Sequence, residues 1–148
     1  MTEIRKLPKK EFFEKHSPYG GITYQTYEGS DEPVIIVPEG VSSNTLLHEI
    51  YHSRSGAYKS LSAYDIAIEE LKADEFSKEI KGKKLTYGHF WKLVFTLLYH
   101  GFTSSQSLGA AQRALRDMDY KPFDGRIISK LWWDLRRVEK EMKEGKFD

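Results

Sequence analysis

The chain has 148 residues, 23 Lys/Arg against 22 Asp/Glu, and no cysteine. That length suits a single domain able to bury its own core, and the lack of thiols excludes disulfide frameworks and thiolate metal ligands. A zinc site in this chain must be built from histidine and carboxylate.

Met1 to Pro18 is rich in Lys and Glu and has no apolar core, so no secretory signal is expected. A short helix is predicted over Lys9 to Lys15, with Pro8 leading into it, followed by a turn at Ser17-Pro18-Tyr19-Gly20-Gly21. Ile22 to Glu28, rich in Thr and Tyr, reads as a strand. Val34 to Val37, a continuous apolar run between prolines, reads as a second strand. The two are expected to pair antiparallel.

Ser42, Ser43 or Asn44 can cap the next helix, which Gly56 is placed to end. Ala57 to Leu61 then crosses to a helix starting at Ser62, with Asp65 three residues on, and running to Ile80 before Gly82. From Thr86 the pattern is all helical: Thr86 through Tyr99, Thr103 or Ser104 through about Met118, and Arg126 to about Lys143. In the last helix Ile127, Leu131, Leu135 and Val138 form the apolar stripe. Adjacent Trp132 and Trp133 must diverge, one toward the core and one toward the surface. The Tyr99 to Thr103 joint invites a helix-turn-helix reading, although two helices joined by a glycine turn are first of all a packing unit. The most apolar run, Phe90 to Tyr99, contains Lys92 and is about ten residues, too short for a bilayer. A soluble, cytoplasmic protein without membrane association is the expectation.

The chemistry is concentrated in the fourth of these elements, where the chain reads His48-Glu49-Ile50-Tyr51-His52. On a helix, residues four apart share a face, so both imidazoles can aim at one metal ion, and Glu49 lies where its carboxylate could take a proton from a water there. A third ligand is expected on the next helix. Glu70 and Asp74 are again four apart, so one carboxylate can bind metal while the other orients a ligating histidine. Glu69 is the rival ligand, but it has Ala73 rather than an acid at its own i+4 position.

His48-Glu49-x-x-His52 followed by Glu70-x-x-Ala73-Asp74-x-Phe76 resembles the gluzincin branch of zinc metallopeptidases, and the second block is similar to the signature of ImmA/IrrE-type proteins. The likeness covers roughly residues 34 to 80. This chain departs from the pattern at Tyr51, Arg54 and Ser77, where the family has Gly, an apolar residue and Ala. The resemblance implies Zn2+ held by His48, His52 and Glu70, Glu49 as general base, and Asp74 as a partner of a histidine, His48 in first place. It also implies an α+β, zincin-like fold: a small antiparallel sheet near the N-terminus, then a mainly helical body carrying the motif helix.

The expected organisation is one domain over 1–148, with sheet and metal-site helices in 1–80 and a helical back in 81–148. The expected activity is hydrolysis of peptide bonds in a restricted protein or peptide substrate, since the family is associated with cleavage or control of transcriptional repressors. Candidate donors to the oxyanion are Tyr51, Arg54, Tyr64, His89, Tyr99 and His100, which spacing does not separate. Charge suggests an alternative. Residues 1–80 carry 9 Lys/Arg against 14 Asp/Glu (net −5), and residues 81–148 carry 14 against 8 (net +6). The alternative is a regulatory or interaction protein with a structural or vestigial metal site, whose basic helical half binds DNA or a protein partner.

Overall fold

The computed structural model describes residues 2–16, 20–24, 29, 32–55, 62–80 and 82–145. Its class is α+β, with a three-stranded sheet near the N-terminus and six helices. The chain forms two compact units, Met1–Ser60 with Leu71–Lys81, and Leu61–Glu70 with Gly82–Asp148.

In the first unit the strands are β1 (Glu3–Leu7), β2 (Ile22–Tyr24) and β3 (Val34–Pro38), in the order β1-β3-β2. The expected antiparallel pair is present, with Ile22 opposite Ile36 and Tyr24 opposite Val34. The sheet is nevertheless mixed, because β1 adds in parallel on the other side of β3. Composition hid β1: three of its five residues are charged, and it is an edge strand whose outer side chains stay solvated. Of the strand predicted over Ile22 to Glu28, positions 25–28 lie outside the described residues.

Central β3 is buried along its whole length, which is why its sequence is an unbroken apolar run and not an alternating one. Its two faces have different neighbours. Helix α1 (Lys9–Lys15) lays Phe12 against Val34 and Ile36, with Leu7, Ile22 and Tyr24 around them. Helix α2 (Ser43–Ser55) packs on β2 and β3 as well. Side chains alternate along a strand, and residues opposite one another across an antiparallel pair share a face. Thr23 pairs with Ile35 and so turns away from the α1 core.

Helix α3 (Ala63–Phe76) starts at Ser62, whose hydroxyl accepts from Asp65 N at 3.0 Å and donates to the Asp65 carboxylate at 2.7 Å. The prediction carried this helix to Ile80, but it stops four residues earlier. Lys78 takes φ 62°, Lys78 N bonds Glu75 O at 3.2 Å, and Glu79 N bonds Asp74 O at 3.0 Å. That is the Schellman pattern, with a lysine in the left-handed position where glycine is usual. Gly56 and the crossover at 57–61 lie outside the described residues.

In the second unit α4 (Tyr87–Tyr99), α5 (Ser104–Asp117) and α6 (Gly125–Lys143) pack on one another. Phe90, Val94, Leu97, Ala111, Leu131 and Leu135 are fully enclosed. Thr86 caps α4 by accepting from His89 N, and Thr103 with Gln106 forms a capping box on α5. Gly101, at φ 98°, ends α4. Asp124 caps α6, and Leu131, Leu135 and Val138 are buried as its periodicity predicts, while Ile127 is half-buried. Trp132 is also half-buried, and Trp133 is 70% exposed. Among the described residues no helix is long and apolar enough to cross a membrane.

Candidate metal centre

Helix α2 inverts the usual arrangement of a surface helix. Its buried residues are His48, Glu49, His52 and Ser53, whereas Leu46, Leu47 and Ile50 are only half-buried. Enclosing ionisable side chains is unfavourable unless each finds a partner, so the neighbours of these residues define what the site does.

His48 and His52 lie one turn apart with their Nε2 atoms 2.9 Å from each other. On its other side, the His48 ring presents Nδ1 to Asp74 Oδ1 at 2.6 Å, both groups being buried. An ionised carboxylate at that distance makes Nδ1 the protonated nitrogen of His48 and leaves its Nε2 lone pair directed at the point His52 also faces. His52 turns its Nε2 to the same point, 2.9 Å from His48 Nε2, and a cation bound there would displace any proton held between the two nitrogens. Glu70, one turn before Asp74 on α3, completes a group with His48 and His52 whose ligand atoms all lie within 4.8 Å of one another. Glu69 does not belong to this group.

Two imidazoles and one carboxylate are a donor set that fits zinc, and two Nε2 atoms 2.9 Å apart are placed to share one ligand. Asp74 supplies the support that such histidines require: it fixes both tautomer and ring orientation. His48, Asp74 and Glu79 likewise bring ligand atoms within 4.8 Å of one another. The tight turn at Lys78 brings Glu79 back beside Asp74. Since Asp74 already engages His48 Nδ1, this arrangement is better described as carboxylate support behind His48.

Glu49 is buried and stands outside both groups. The Thr23 hydroxyl donates to Glu49 Oε1 at 2.7 Å and lies 3.1 Å from the Glu49 carbonyl oxygen. Close packing holds the same carboxylate from another side. A Cβ on Gly21 would fall 3.0 Å from Glu49 Cγ and 3.2 Å from Val37 Cγ1, tighter than ordinary van der Waals contact. Sequence reasoning missed Thr23 and Gly21. The alternation of Ile22-Thr23-Tyr24 held the signal for Thr23, because a lone polar residue between two core positions of a strand must face the opposite side.

The six oxyanion candidates are scattered. Tyr51 lies on α2, its ring 6.3 Å from that of His52 and 5.6 Å from Phe76, and Arg54 is exposed. Tyr64 donates to Asp117 at 2.8 Å beneath the Arg113 guanidinium, 4.2 Å from the ring centre, and that hydrogen bond to a carboxylate raises its pKa. His89 is half-buried in the first turn of α4, and Tyr99 and His100 are exposed at its end. His16, which no motif singles out, places Nδ1 3.3 Å from the Tyr24 hydroxyl.

Compared with known proteins, the chain matches no family model, no curated protein and no solved structure. Its functional reading therefore rests on the side chains described above.

Proposed function

We propose that this protein is a zinc metallopeptidase of the zincin type, similar to the gluzincin and ImmA/IrrE proteins, that hydrolyses peptide bonds in a restricted protein target. The observation that carries the reading is the convergence of His48 and His52 with Glu70, with a buried glutamate next in sequence that is not a ligand. His48, His52 and Glu70 would hold the ion. Zinc bound there would supply Lewis acidity, lowering the pKa of a water and polarising a carbonyl.

The chain's own contribution is to place and move protons. Asp74 keeps the proton of His48 on Nδ1, so that Nε2 is available as a donor atom. Glu49 accepts a proton from the attacking water and delivers it to the departing amine nitrogen. Thr23 holds one oxygen of that carboxylate, which directs the other. Among the described residues β2 pairs only with β3, so an extended peptide aligned with the outer edge of β2 would run past Thr23 toward Glu49. A non-catalytic zinc site is closed by a fourth protein ligand, and among the described residues no fourth His, Asp or Glu joins the group.

Metal content by mass spectrometry tests the ligand set, and a peptide-library cleavage assay tests the activity. About one zinc per chain is expected in wild type and in Glu69→Ala, and none in Glu70→Ala. Glu49→Gln should retain zinc and lose turnover. Absence of zinc from wild type after metal is supplied would overturn the metal site, and near wild-type hydrolysis by Glu49→Gln would overturn the role of Glu49.

A further inference from the structure

The outer face of α6 has no part in the metal centre. This helix carries six Lys/Arg against three Asp/Glu. With Leu131, Leu135 and Val138 turned into the core, the 3.6-residue period brings Arg126, Lys130, Trp133, Arg137 and Lys140 onto one line on the opposite side. The stripe spans about 21 Å, taking 1.5 Å per residue over 14 steps. All five residues are exposed, Trp133 by 70%. Arg136 and Lys143 flank it, and with Trp133, Arg137 and Lys140 they line an open hollow that Glu139 and Glu144 also border.

Three acids, Asp134, Glu139 and Glu141, offset the six cations only in part. Glu139 is turned to α5, where its carboxylate accepts from Ser104 N at 2.9 Å and so serves the start of that helix. Asp134 reaches Arg137 only at 3.7 Å. A large indole left in water among cations is costly as packing, and it gains a purpose if a flat π-system and a chain of negative charges arrive together.

We infer that this face binds single-stranded nucleic acid, with the cations along the phosphates and Trp133 as a stacking platform for an unpaired base. A lipid surface fits less well. Interfacial helices insert an apolar face, and the apolar face of α6 is buried in the core, which leaves one tryptophan on the outer side. A duplex fits less well because its bases are stacked and not available to the indole. Phosphate and base faces are common to RNA and DNA, so the stripe should not distinguish the sugars.

The test is fluorescence anisotropy of a labelled twelve-residue oligo-dT with the full chain across about 50 to 200 mM salt. With roughly four phosphates neutralised, log Kd should rise with log salt at a slope of about 3. Trp133→Ala should weaken binding about 5- to 150-fold, the usual range for loss of one stacked base. Lys130→Glu with Arg137→Glu should weaken it further and flatten the salt slope. Thermal melting of each variant checks folding, which these exposed positions should leave unchanged. The proposal is overturned if oligo-dT does not bind at micromolar protein, if Trp133→Ala binds as wild type does, or if a twelve-base-pair duplex binds as tightly. It is equally overturned if phosphatidylcholine vesicles with 30% phosphatidylserine, or poly-glutamate, bind in preference.

Discussion

Helices α2 and α6 are opposites. Helix α6 encloses Leu131, Leu135 and Val138 and turns its cations to water, whereas α2 encloses His48, Glu49, His52 and Ser53 and leaves Leu46 and Leu47 half-exposed. Transfer free energies favour the first arrangement and oppose the second. An arrangement that opposes them persists only where each buried polar group is matched: Asp74 to His48, Thr23 to Glu49, the Ile50 carbonyl to the Ser53 hydroxyl at 2.7 Å. The contrast separates a helix that holds its unit together from one that is held in place by its unit.

Truncation should expose that difference most strongly. Leu135 is fully enclosed, so Leu135→Ala is expected to destabilise the protein by about 2–5 kcal/mol in urea unfolding. Leu47→Ala, on the half-buried side of α2, should cost about half of that or less. Equal losses would mean that α2 also contributes through its apolar residues, and the comparison would fail.

The next effect belongs to the polar side of the comparison. Asp74→Asn keeps the shape but loses the charge that holds the proton on His48 Nδ1, and zinc affinity should fall about 10- to 100-fold in a chelator competition. Unchanged affinity would mean that Asp74 serves packing alone. Thr23→Val should destabilise by about 1 kcal/mol and lower turnover while leaving zinc affinity as it was, and Thr23→Ser should restore both. A fall in zinc affinity in Thr23→Val would show that the strand supports the ligands and not the base.

How much of this was legible in the sequence depended on distance along the chain. The His48 and His52 pair, the Glu70 and Asp74 pair, strand Val34 to Val37, helix Lys9–Lys15 and the caps Thr86 and Thr103 are all set by neighbours within about one turn, and all can be read from spacing. Strand β1 could not be read this way, because a charged five-residue segment becomes a strand only when β3 lies beside it. The support of Glu49 by Thr23 and Gly21 depends on the register of β2 against β3, which no local pattern states. Burial on α2 follows no local pattern either. Leu47, Ile50 and Tyr51 are apolar yet half-buried, and the polar residues take the inner side because their partners come from β2 and α3.

Helix ends show the same limit at the smallest energy. Four helices finish on a left-handed residue: Gly101 and Gly145, where a glycine signals the stop, and Lys78 and Asp119, where nothing does. Asp119 repeats the Schellman bonds of Lys78, its own N to Arg116 O at 3.1 Å and Tyr120 N to Leu115 O at 2.8 Å. A lysine at φ 62° clashes through its Cβ with the backbone, and aspartate tolerates that region better. Glycine removes the clash but gives the unfolded chain more freedom, which offsets part of the gain. Lys78→Gly is therefore expected to raise stability by about 0.5 kcal/mol, and Asp119→Gly to change it by less. Thermal melting of the two variants in parallel decides the matter. A loss at Lys78 would mean that its side chain, and not only its backbone, holds the turn that sets Glu79 beside Asp74.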